Sequence, residues 1–208
     1  WHAPRHNVMP KVYRIQENGK QGKPLTTGFV FKERGGVVAI EAQHVGECRN
    51  ADKASWQMIP GLGRSLSGIA LFPYTASVEN AWLKYQMRLN TQADSVDIYL
   101  TVAAVMPFLE GGHQVALSMD GGEEVVVHLN QNLNWEHKYD LMYPTAAARV
   151  IQKKVRLRLE KKNKGAMHSL QLRPLQPGIV FEKIEVDGGG GYVPSRLGMP
   201  ESPYRLEK

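Results

Sequence analysis

The segment Gly63-Arg64-Ser65-Leu66-Ser67-Gly68 holds the serine most suggestive of chemistry in this chain. A nucleophile elbow needs Gly-x-Ser-x-Gly at a sharp strand-to-helix turn, which exposes and strains the hydroxyl. Ser67 stands where the second glycine is required, and Ile69 to Phe72 reads as a strand, so a serine hydrolase is not expected. Gly188 to Gly191 opens no helix and runs on to Pro194, which makes it a turn and not a phosphate cradle. His44, His113, His128, His137 and His168 show no ligand spacing, and a lone Cys48 leaves no thiol pair for zinc or a disulfide. Paired carboxylates would serve a glycosidase. Asp94, Asp97, Asp120, Glu123, Glu124, Glu182 and Glu185 instead fall on polar faces or in turns. No catalytic residue is assigned.

What remains are residues that could bind. Tyr74, Trp82, Trp135 and Tyr192 are candidate aromatic contact surfaces, although a tryptophan in a β-fold also serves as core. The run from Trp56 to Ser67 reads as a loop shaped by Pro60, Gly61 and Gly63, with Arg64 as a fixed planar donor. Its fork suits a uronate carboxylate or an acidic group on a neighbouring domain, and equally the carbonyls of its own loop.

The net charge of +6 gathers in Arg149, Lys153, Lys154, Arg156, Arg158, Lys161, Lys162 and Lys164. In Val155-Arg156-Leu157-Arg158-Leu159 the cations alternate with aliphatic residues, as the solvated face of a half-buried strand requires. A site for acidic polysaccharide is the second reading. Nucleic acid is not expected, because no aromatic residues interleave with these charges. No apolar run approaches the roughly 20 residues of a membrane helix, so no membrane partner is expected. The start at Trp1 lacks a signal sequence, and the chain reads as mature or excised from something larger.

These residues need elements to hold them. Tyr85, Met87 and Leu89 alternate with Lys84, Gln86 and Arg88, and Val96, Ile98, Leu100 and Val102 alternate with Asp97, Tyr99 and Thr101. Period two marks antiparallel strands with one face in a core. Further strands are expected at Val12–Ile15, Phe29–Phe31, Val37–Ala42, Gln114–Met119, Glu124–Leu129, Ser169–Leu172 and Ile179–Val186, with a hairpin at Met119–Glu123. Thr145 to Gln152 is the one stretch with room for a turn or two of helix. The fold class is all-β, a jelly-roll-like sandwich. Residues 1–11 read as a linker from a preceding domain, 12–187 as the sandwich and 188–208 as a C-terminal wrapping tail.

The run Val38-Ala39-Ile40-Glu41-Ala42-Gln43-His44 resembles the first core strand of carbohydrate-binding sandwiches. Trp56-Gln57-Met58-Ile59-Pro60-Gly61-Leu62-Gly63-Arg64-Ser65 and Phe72-Pro73-Tyr74-Thr75-Ala76 resemble the C-terminal domain of glycoside hydrolase family 115, the xylan α-1,2-glucuronidases. Pro177 to Gly189 and Ser195 to Ser202 are similar to that family's closing motif, so the resemblance spans roughly residues 9 to 202. It departs at Gln43, Arg196 and Met199, where the family has Glu, Tyr and Pro. The resemblance implies a non-catalytic accessory domain of an α-glucuronidase-type enzyme acting on plant polysaccharide, periplasmic or secreted. Its expected partners are a preceding catalytic domain, a polysaccharide containing uronic acid and, as an alternative, a second copy of the enzyme. An autonomous carbohydrate-binding module for an acidic glycan is the competing reading. The resemblance also implies a structural calcium held by Glu41, the Gln43 amide and Asp187, with simple hydrogen bonding by Glu41 and Asp187 as the other outcome.

Overall fold

Alternating burial closes two mainly antiparallel sheets face to face, as the period-two pattern predicts. The computed structural model describes residues 25–160 and 163–207, so the linker 1–11 and the expected strand Val12–Ile15 lie outside the described residues. The described strands are β1 (Phe29–Lys32), β2 (Val37–Glu41), β3 (Glu47–Arg49), β4 (Ser55–Ile59), β5 (Gly68–Phe72), β6 (Trp82–Leu89), β7 (Ser95–Ala103), β8 (Gln114–Met119), β9 (Val125–His128), β10 (Val150–Arg158), β11 (Ala166–Pro174), β12 (Phe181–Asp187) and β13 (Tyr204–Leu206). One sheet runs β13-β1-β6-β11-β8-β9 with β3 also on β6; the other runs β10-β7-β12-β5-β4 with β2 also on β12. Among the described strands only the β1–β6 pair is parallel.

Inward residues fill the space between the sheets: Leu83, Tyr85, Met87 and Leu89 from β6 face Val96, Ile98, Leu100 and Val102 from β7. The phenol of Tyr85 would be costly to bury unpaired, and it donates to the Ala42 carbonyl at 2.8 Å. The expected hairpin forms between β8 and β9, where Asp120 and Gly121 both take positive φ, the geometry that suits the strand twist. On β10 the alternation places Lys154 and Arg156 outward, and both pair with Asp97 across the ladder.

Two expectations need correction. The helix is α1 (Tyr143–Ala148), with Pro144 in its first turn, and it follows a 3₁₀ turn at Trp135–His137 and a wider π turn at Lys138–Met142. Arg149 at φ 61° ends it, and Val150 to Gln152 are already strand, held by the β7 ladder. The run from Trp56 is not all loop: Ser55–Ile59 pairs with β5, Trp56 is buried against Phe181, and the loop is residues 60–67.

Residues 188–207 run back over the sandwich. Ser202 exchanges backbone and hydroxyl bonds with Ala39 on the free edge of β2, Glu201 accepts from the Glu41 N–H and meets His44, and β13 pairs with β1. Among the described residues no helix is long and apolar enough to cross a membrane.

Candidate functional site

The site is built on an irregularity in β12. Phe181 and Ile184 both point into the core although they stand three positions apart, an odd spacing that strict alternation forbids. The register against β7 jumps between Phe181 and Lys183, so Glu182 is the extra residue of a β-bulge. The bulge leaves Glu182 and Lys183 buried beneath the 60–67 loop and the segment after β12.

There the Lys183 ammonium lies 2.9 Å from Glu41 Oε1 and also donates to the Ser65 hydroxyl and the Leu197 carbonyl. Ser65 donates to the same Glu41 oxygen at 2.6 Å. Glu185, fully buried, accepts from the Met199 N–H, and Glu182 accepts from the Arg64 N–H. Burial pushes the Glu182 and Glu185 carboxyls above the usual carboxylate range, against the partial relief of those N–H donors. Asp97, on the open face of the same sheet, goes the other way: hydrogen bonds from Arg156 and Lys154 lower it to about 2. Arg64 donates through Nη1 to the Arg196 carbonyl at 2.6 Å and through Nη2 to the Ala148 carbonyl at 2.5 Å. Its fork therefore clasps α1 and the closing segment together, and not its own loop. A cavity of about 60 Å³ lies among Arg64, Thr101, Gln152, Glu182, Lys183 and Leu197.

The oxygens expected for calcium do not fit one. Glu41 pairs across the ladder with Lys183 and Asp187 with Val37, four residues further along. That places them about 13 Å apart along the strand. Lys183 already supplies the positive charge at Glu41, and Asp187 Oδ1 accepts the N–H groups of Gly189, Gly190 and Gly191. The Gln43 amide donates toward His44, while its oxygen is buried without a partner among the described residues. Among the described residues no three His, Cys, Asp or Glu side chains gather as metal ligands.

The model of the glycosyl hydrolase family 115 C-terminal domain matches residues 30–201. The chain belongs to that family. This family 115 domain is a non-catalytic accessory domain of the family 115 type. Comparison with curated proteins returns no match. Among solved structures it is similar to a family GH115 4-O-methyl-α-glucuronidase, BtGH115A, with specificity for decorated arabinogalactans, at 16% identity and a TM-score of 0.55. That alignment covers 76% of this chain and 18% of the other, so the domain spans under a fifth of that enzyme's length. It is also similar to a family 35 carbohydrate binding module from Clostridium thermocellum (13% identity, TM-score 0.49, 72% of this chain and 97% of that). A third is the C-terminal CBM6 of LamC, a marine laminarinase from Zobellia galactanivorans (12%, 0.47, 73% and 98%).

The family 115 domain does not gather its candidate contact residues into one platform. Tyr192 stacks on Tyr99 at 3.7 Å and reaches Gln152 beside the Arg64 cluster. Trp82 lies half-buried on the other sheet under the Lys84 ammonium, and Tyr74 packs on Phe72. Trp135 is 67% exposed in the 3₁₀ turn, with Lys138 over its ring. Sequence reasoning passed over Lys183. The break in parity between Phe181 and Ile184 was the available signal.

Arg64→Lys keeps the charge and loses the fork, so one of the two carbonyl ties is left unmade. For partly exposed charge-assisted bonds the expected loss is about 1–2 kcal/mol, a fall in Tm of several degrees for the isolated domain, read by differential scanning calorimetry. An unchanged Tm would contradict the clasp.

Proposed function

We propose that this domain is the C-terminal accessory part of an α-glucuronidase-type glycoside hydrolase that removes uronic acid from plant polysaccharide in the periplasm or outside the cell. The family match over residues 30–201 carries the reading. The likeness to a 4-O-methyl-α-glucuronidase more than five times as long as the matched region supports it, since such an enzyme leaves ample chain for a catalytic domain. In this reading the domain packs against that catalytic domain as a rigid support. Its buried charges are engaged with one another and with backbone, as a brace requires and a reacting acid or base does not.

The test is an assay of the 208-residue chain alone on an aryl α-glucuronide, aryl glycosides and an acetyl ester. Turnover at background level is expected. Turnover that survives repurification and disappears with one substitution in this domain would overturn the reading.

A further inference from the structure

We propose that the groove between α1 and β10 is a binding site for pyranose units of a glycan. Its volume is about 430 Å³, within the range of small-molecule sites. One wall is the helical segment at Asp140–Ala148, the floor is the start of β10, and the facing wall is the chain that leaves β9.

Two observations point to a ligand rich in hydroxyls. First, His128, Gln131, Asn132, Thr145 and Lys153 line the groove with polar side chains that no neighbour among the described residues engages. Elsewhere on this end such groups are consumed internally: Asn130 Oδ1 accepts from the His113 N–H at 2.7 Å and its amide donates to the Val105 carbonyl at 2.6 Å. Second, Leu141 and Pro144 give the same groove apolar surface beside those polar groups. A pyranose offers this pairing within one unit, a C–H face for Leu141 and Pro144 and equatorial hydroxyls for amides that both donate and accept. A peptide helix would need a continuous apolar trough, which five polar side chains interrupt.

The walls are fixed before any ligand arrives. Asn130 is pinned on both sides, and Gly112, at φ 72°, brings its loop so near that a Cβ there would lie 2.7 Å from Asn130 Oδ1. Arg64 holds the far end of α1 through the Ala148 carbonyl. A preformed groove spares a ligand the ordering cost that weakens mobile sites.

This site is independent of the accessory role, because an inactive domain can bind sugar or not. The test is NMR titration of the ¹⁵N-labelled 208-residue chain with cellotetraose and, separately, tetragalacturonic acid. Saturable shifts at residues 128–133, 140–148 and 150–153 are expected with at least one of them. Thr145→Trp, which fills the groove, and Asn132→Ala are each expected to weaken that binding at least about tenfold. With tetragalacturonic acid as the ligand, Lys153→Ala should weaken it further, since the ammonium is free to meet a carboxylate. Failure of both sugars to bind below about 10 mM, shifts confined to another face, or binding unchanged in a folded Asn132→Ala and Thr145→Trp would overturn the proposal.

Discussion

Lys183→Met is expected to destabilise the domain by about 3–5 kcal/mol, which for a chain of this size lowers Tm on the order of 10 °C. The reason is charge and not volume, because methionine nearly fills the space. Lys183 and Glu41 are each 7% exposed at the side chain and pair at 2.9 Å, with Glu182 and Glu185 buried nearby. Removing the ammonium leaves Glu41 with a single hydroxyl donor and exposes all three carboxylates to mutual repulsion in a poorly solvated place. The double variant Lys183→Met with Glu41→Leu should recover much of the loss, since replacing a whole buried pair by apolar groups is often close to neutral. A single variant that melts with the wild type, or a double variant worse than the sum of its parts, would contradict this account of the cluster.

The second large effect lies at the β8–β9 turn. His168 is buried on the inner face of β11 with its Nδ1 2.8 Å from Asp120 Oδ2, and the Ser169 N–H donates to the other oxygen at 2.9 Å. An ionised carboxylate only accepts, so His168 Nδ1 carries the proton. Asp120→Ala strands both donors and puts alanine at φ 56°, a conformation that aspartate and asparagine tolerate better. The expected cost is about 2–4 kcal/mol by urea denaturation, with Asp120→Asn losing less than half as much. Equal losses in the two variants would contradict this account, because asparagine keeps one acceptor and the tolerance of φ 56° that alanine lacks.

Strands with clean alternation were legible at once: β6, β7 and β8 stand where Tyr85, Ile98 and Leu117 mark the inward face. The short edges were not. β3 and β13 have three residues each, too few for a period, and they exist because β6 and β1 offer unpaired backbone. β4 was hidden inside a stretch dominated by its glycines and proline. The candidate site was half legible. Arg64 stood out by its loop, but its partners, the Ala148 and Arg196 carbonyls, are 84 and 132 residues away and no local pattern encodes them. Glu41 was singled out for calcium, whereas the fold sets Lys183 opposite it, a pairing fixed by strand register and a bulge.

The most direct measurement of the central claim is uronic acid release from a glucuronate-bearing polysaccharide by the polypeptide encoded with this domain, made with and without residues 25–208. The account predicts that the intact polypeptide releases uronic acid, that the isolated domain releases none, and that deleting the domain reduces the rate or the stability without abolishing the chemistry. Release by the isolated domain, or an intact polypeptide with no glycosidase activity on such substrates, would contradict it.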